Sequence, residues 1–372
     1  MWNSPLRGIA LAVTLALLLP ASALAQQYHR TDLTTDMASV SPSAANVDSS
    51  LVNPWGLARG TGSPWWVSDN GAGVSTLYNA TGVKVLLQKG TQPSVVIPTP
   101  DGTGTAAPTG TVLNTTSGFQ VGPNAKAFFL FVTEDGTISG WNPGVSPNAV
   151  LVKNNAGKAI YKGCTIGINP SGRAFFYATN FQTGRVEVYN SIFQRINPGD
   201  EDAFRLPGLS KDWAPFNIQN IGGSLVVTFA HRAPGSHDED HGPGLGHVGV
   251  FDLGGHLLLR LKDGPWFNAP WGVALAPGDF GKFTHRLLIG NFGDGTIHGF
   301  NAFTGTHEGG MLDDTTGMPL SIGGLWAISF GGDSTINGTA TTLFFSAGAN
   351  DEADGILGQL TAVNTEQPGN SQ

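Results

Sequence analysis

The chain reads as an all-β, six-bladed propeller in a single domain, and three observations carry that reading. A seven-residue pattern recurs six times. Each copy follows an apolar, strand-like run. Charged residues are only 12% of the chain while glycines number 53, which suits short strands and tight turns and not surface helices.

The pattern is Gly-x-x-x-x-aromatic-Asn/Asp. It spans Gly73 to Asn79, Gly136 to Asn142, Gly184 to Asn190, Gly246 to Asp252 and Gly295 to Asn301, with a degenerate sixth copy from Gly355 to Thr361. Two copies extend to Asp-Gly-Thr-Ile-x-Gly-aromatic-Asn, starting at Asp135 and Asp294. Successive copies are 63, 48, 62, 49 and 60 residues apart, which fits a four-stranded blade of about 40–50 residues with insertions. Six copies give six blades.

The runs before the copies are Trp65 to Val67, Phe128 to Val132, Ala174 to Ala178, Leu225 to Phe229, Leu287 to Ile289 and Leu343 to Phe345. Farther upstream, Asn53-Pro54-Trp55-Gly56-Leu57-Ala58 and its near copy Asn268 to Ala274 mark a third, innermost strand. A ring of blades leaves no free edge only when it is closed. The segment Tyr28 to Leu33 is therefore expected to join the blade that holds Gly355 to Val363. A jelly roll or stacked sandwich explains the glycines but not a repeated three-strand unit.

The ends frame this domain. Residues 1–25 have the three parts of a secretory signal: Arg7, an apolar run from Ile9 to Leu19 and the small-residue site Ala23-Leu24-Ala25. That run is short of the roughly 20 residues a membrane span needs. Cleavage would release a secreted or periplasmic monomer without membrane insertion, with the propeller over 26–363 and a polar, disordered tail over 364–372. A net charge of −8 without a basic run argues against nucleic acid as partner. The single cysteine, Cys164, leaves no intramolecular disulfide and reads as a buried structural thiol.

Ligands normally bind a propeller where loops enter the innermost strands and leave the second strands. The second strands end in a ring of polar side chains that includes Asp69, Asn70, Glu134, Asn180, His231, Asn291, Asn350 and Asp351. Such oxygens suit Ca²⁺, although Asx residues at strand ends also bond their own turns. The loop from His231 to His247 concentrates His237, Asp238, Asp240 and His241, donors for Zn²⁺ or another transition metal, or simply a solvated acidic loop. The corresponding loop of the sixth blade, Asn350 to Gly355, carries three carboxylates without the spacing of an EF-hand.

The strings LVNPWGLA, PTGTVLN, TEDGTISGWNP, PWGVALAPGDFGKF, LLIGNFGDGTIHGFN, GLWAISFG and LFFSAGANDEADG resemble those of a family of uncharacterised bacterial exported proteins, some with a PEP-CTERM sorting tail. The resemblance runs from about Tyr28 to Val363 and implies an NHL-like propeller; it brings no established activity. More distantly, the plan is similar to gluconolactonase-like and streptogramin-lyase-like propellers, which place a divalent metal at the channel mouth. The resulting expectation is an extracytoplasmic propeller that binds a small molecule, glycan or protein at its mouth, with or without a divalent metal. The alternatives are a metal-dependent hydrolase or lyase acting on a lactone, saccharide or other small polar substrate, and a purely structural envelope protein.

Overall fold

The computed structural model describes residues 26–87, 90–196 and 202–363, so the expected signal segment (1–25) and polar tail (364–372) lie outside the described residues. Within them the chain is a six-bladed β-propeller, and its helical content is one 3-10 turn, Gly281–Phe283. Six inner strands surround the axis: Pro54–Ala58, Pro108–Leu113, Tyr161–Ile168, Trp213–Ile221, Pro270–Leu275 and Leu325–Phe330. Blades are numbered one to six in that order.

The repeated heptad forms the third strand of every blade: Val74–Tyr78, Thr137–Trp141, Arg185–Asn190, Gly246–Phe251, Ile297–Asn301 and Ile356–Ala362. Its opening glycine is required by geometry where the longer motif recurs. Gly136 and Gly295 have φ of +81° and +72°, and a Cβ on Gly136 would lie 2.7 Å from the Ala159 carbonyl oxygen. The motif is thus a tight turn held against the next blade, followed by a strand.

The ring closes through Gln27–Thr35, which runs antiparallel to Ile356–Ala362 with Tyr28 opposite Ala362 and Thr35 opposite Ile356. This closing strand is longer than Tyr28 to Leu33. Its last two residues are threonines without an apolar signature, and they are held by hydrogen bonds from Thr34 Oγ1 to Gly82 O (2.6 Å) and from Thr35 Oγ1 to Gly355 O (3.1 Å).

Aromatic contacts fill the wedges between blades. Trp66 of blade one stacks on Phe129 of blade two at 4.3 Å, and Trp65 packs on Phe344 of blade six at 4.8 Å. Near the axis, buried polar side chains tie neighbouring inner regions at four of the six junctions. Thr109 Oγ1 donates to Tyr161 O, Thr179 Oγ1 to Phe216 O, Asn217 Nδ2 to Trp271 O and Ser346 Oγ to Trp55 O. Inner-strand glycines let these backbones approach: a Cβ on Gly56 would meet Thr109 O at 2.5 Å, and one on Gly110 would meet Cys164 N at 2.7 Å. What remains of the axial channel is a cavity of about 10 Å³ lined by Gly56, Gly110, Cys164 and Trp271, room for about one water. That part of the axis therefore has no room for a ligand larger than a water.

Candidate functional site

The mouth where inner strands begin has an aromatic floor. Trp55, Trp271 and Trp326 stand at the starts of three inner strands and are almost wholly buried. Trp326 stacks between Trp55 (3.5 Å) and Phe292 (3.9 Å), while Trp271 meets both other tryptophans edge-on. The indole of Trp326 donates to Asn53 Oδ1, and that of Trp271 to Lys162 O. Asn53 and Ala269, each just before the proline of an inner-strand entrance, both have φ of +46°. A residue preceding proline normally prefers extended backbone, so the two homologous entrances share a strained turn.

On this floor sits Lys162, at the start of the inner strand of blade three and 1% exposed. Its Nζ lies 2.6 Å from Glu134 Oε1, 3.5 Å from Asp238 Oδ1 and 3.8 Å from Glu239 Oε2, and 5.1 Å above the Trp55 ring. Burial by itself would pull the lysine toward the neutral form. The carboxylates of Glu134 and Glu239 outweigh it and hold Lys162 above its ordinary range, firmly charged. Glu134 uses its second oxygen to accept from Asn70 Nδ2 at 2.9 Å.

The three glutamates around the lysine come from the loops after the second strands of alternating blades: Glu134 from blade two, Glu239 from blade four and Glu352 from blade six. Burial, then repulsion from Glu239 and Glu134, pushes Glu352 up to about 7, against the opposing influence of Lys162 and a hydrogen bond from Asn53. Glu352 is delivered by an unusual turn. Asn350, Asp351 and Glu352 have φ of +52°, +53° and +66°, three consecutive non-glycine residues in the left-handed region. Such residues cost about 1–2 kcal/mol each and ordinarily occur singly. Strain of this kind concentrates at functional sites.

The blade-four loop contributes more than Glu239. His241 Nε2 stands 3.5 Å from Glu239 Oε1 and meets Phe292 edge-on at 5.0 Å; its contact with Glu239 raises it above the ordinary histidine range despite partial burial. Glu239 Oε2 is buried and has no hydrogen-bond partner, although the side chain is only 5% exposed.

The structure divides the sequence-predicted residues. Asn70, Glu134, Asp238 and His241 belong to the cluster around Lys162. Asp69, Asn180 and Asn291 are fully buried and turned into their own blades: Asp69 Oδ2 accepts from Thr76 N and Oγ1, Asn180 Nδ2 donates to Glu187, and Asn291 Nδ2 donates to Trp266 O and Thr296 Oγ1. His231 pairs with Asp240 at 2.7 Å beside Trp213, away from Lys162. Asn350 bonds Asp354, while Asp351 and His237 are exposed. Lys162, Glu239 and Glu352 were not singled out. The two glutamates lie inside the acidic loops already noted, and the signal for Lys162 is a lone cation opening an otherwise uncharged strand.

Among the described residues, no group of three or more His, Cys, Asp or Glu side chains is placed to hold a metal ion. Of the donors expected for Zn²⁺, His237 is exposed, Asp238 faces Lys162, Asp240 pairs with His231 and His241 contacts Glu239. At the mouth an ammonium, not an open position, stands among the carboxylates that Ca²⁺ would need. The residues present do not fit a divalent cation at this position.

Comparison with known proteins adds the fold and no reaction. No protein-family model matches the chain. It is 29% identical over 335 residues to an uncharacterized protein of Acanthamoeba polyphaga mimivirus, covering 85% of this chain and 82% of that one, and 28% identical over 326 residues to a second from the same virus. Among solved structures it is similar to a streptogramin B lyase (14% identity, 92% of this chain and 100% of that one, TM-score 0.50). It is also similar to virginiamycin B lyase from Staphylococcus aureus (13%, 91% and 100%, TM-score 0.51) and to a PQQ-bound aldose sugar dehydrogenase from Streptomyces coelicolor (13%, 91% and 99%, TM-score 0.50). Likeness at this identity shows the propeller alone, and these neighbours differ in chemistry, so function must be argued from the site.

Proposed function

We propose that this chain is an extracytoplasmic monomer that binds a small polar ligand at the mouth built around Lys162. The observation that supports this reading is the convergence of Glu134, Glu239 and Glu352, from alternating blades, around a lysine 1% exposed. Assembling several carboxylates around one buried ammonium is costly. The ring is already sealed by the Gln27–Thr35 strand and by contacts between blades. The recessed position of the charges favours a small molecule or a sugar unit over a broad protein surface. The leader-like pattern of residues 1–25 supports export, and the resemblance to exported proteins supports it further.

One observation favours an enzyme. Glu352, pushed up to about 7, has the proton affinity that general acid–base catalysis uses at neutral pH. A hydrolase or lyase acting on a small polar substrate would employ it as the proton-transfer group, without a step that depends on a metal. Thermal-shift screening of small polar compounds on the full chain and on Glu134→Gln tests the binding reading. Hits that vanish or weaken in Glu134→Gln support it, and hits of undiminished size in the variant contradict it. For the catalytic reading, turnover of any hit is expected to collapse in Glu352→Gln while binding persists.

A further inference from the structure

We propose that the group recognised at this mouth is a protonated amine on the ligand, held by Glu239 and Glu352; the proposal rests on the mouth being a ligand site. The cluster is unbalanced. Glu134, Asp238, Glu239 and Glu352 face Lys162 and His241; Lys162 donates hydrogen bonds to Glu134 and Asp238 and stands 3.8 Å from Glu239 Oε2, too far to donate one there. Glu134 is satisfied on both oxygens, by Lys162 and Asn70. Asp238 is 79% exposed and screened by solvent. Glu239 is different: its side chain is only 5% exposed, and its Oε2 is left without a hydrogen bond. A buried carboxylate oxygen without a donor is costly and asks for one.

The second acid points to the sign of that donor. Glu352 keeps its proton far above the usual carboxylate range because burial, and then repulsion from Glu239 and Glu134, disfavours its charge. A cation entering between Glu239 and Glu352 relieves both defects, supplying donors to Oε2 and offsetting the repulsion. Lys162 shows which cation the mouth accommodates. Its ammonium group lies among carboxylates at 2.6–3.8 Å and over an aromatic ring at 5.1 Å. A ligand ammonium held by Glu239 and Glu352 would have His241, 3.5 Å from Glu239, close to its first acceptor, and Phe292 edge-on to that imidazole. A divalent metal is the poorer occupant, because the described side chains do not form a donor set for one.

The charges facing Glu352 and Glu239 set the pH dependence. They are Glu134, Asp238, Lys162 and His241, with Asn53 as the neutral partner of Glu352. Raising pH through neutrality ionises Glu352 and discharges His241, and both changes favour a cation.

The test is isothermal titration of the full chain with putrescine, with the neutral diol of the same chain length, and with CaCl₂, at pH 6 and pH 8. The expected result is millimolar or tighter putrescine binding that strengthens at pH 8, with no diol binding and no competition from equimolar Ca²⁺. Roughly tenfold weakening is expected in each of Glu239→Gln and Glu352→Gln, as for loss of one charge-assisted hydrogen bond. Two variants are needed because Glu239→Gln also loosens a partner of Lys162, while Glu352→Gln leaves the Lys162 contacts intact. Diol binding lost in Glu134→Gln, without putrescine binding, would overturn the amine while sparing the mouth. Ca²⁺ displacing putrescine would overturn it in favour of a metal. Putrescine binding unchanged in both glutamine variants would place the site elsewhere and overturn the proposal as well.

Discussion

Lys162 Nζ lies 2.6 Å from Glu134 Oε1, although the lysine stands at the start of the inner strand of blade three and the glutamate follows the second strand of blade two. This pair joins adjacent blades at a place where burial and charge conflict. Replacing Lys162 with Met leaves Glu134 and Glu239 facing each other without a cation in a dry recess. Unfolding in urea is expected to show a loss of about 3–5 kcal/mol. The double variant Lys162→Met with Glu134→Gln is expected to regain part of that loss. A single variant as stable as the wild type would mean that the pair is solvated.

Glu352 gives a pH signature with a definite sign. Its carboxyl is raised from an ordinary 4.5 to about 7, so the native state holds the proton more tightly than the unfolded chain. The stabilisation is fully present below pH 4.5 and is lost as pH rises toward 7. Glu352→Gln removes the ionisable group. The variant is expected to match wild type near pH 4 and to exceed it at pH 8 by roughly 2 kcal/mol, allowing for partial exposure. Parallel stability curves across this range would remove the basis for the effect.

The left-handed turn that carries Glu352 also has a measurable consequence. Asp351 is exposed, and its φ of +53° is one glycine adopts without a steric penalty. Asp351→Gly is expected to stabilise the chain by roughly 0.5–1 kcal/mol in thermal or urea unfolding. If the turn were unstrained, the substitution would destabilise instead, through the added freedom of the unfolded chain.

Tyr28 anchors the closing strand through its side chain. Tyr28 is fully buried, packs against Phe280 (5.0 Å) and Phe283 (5.9 Å), and donates from its hydroxyl to Phe280 O at 3.1 Å. Tyr28→Ala is expected to cost about 3–5 kcal/mol and to raise hydrogen exchange in Ile356–Ala362, the strand it pairs beside. Exchange that rises uniformly around all six blades would show that the strand does not act as a local clasp.

The propeller was legible because its signals are local and repeated. The Gly136 and Gly295 turns and the aromatic at the sixth position of five of the heptads are dictated within seven residues, and six copies fix the blade number. The mouth was legible only as a location. Asp69, Asn180 and Asn291 have the same residue types and strand-end positions as mouth residues, yet hydrogen bonds to Thr76, Glu187 and Thr296 turn them into their blades. Nothing local separates them from Asn70, whose amide instead crosses to Glu134. Lys162 was hidden for a related reason. Its partners come from blades two and four, and no window of sequence contains both it and the carboxylates that keep it charged. The left-handed turn at Asn350 to Glu352 follows from none of the usual glycine signals.

The most direct test of the mouth as the ligand site is a crystal structure of the chain with the tightest compound from the thermal-shift screen. The expected result is ligand density above Lys162, in contact with Glu239 and Glu352. Density instead in the cavity of about 740 Å³ lined by Trp213, Phe229, Arg232 and His237, with the mouth unchanged, would contradict it.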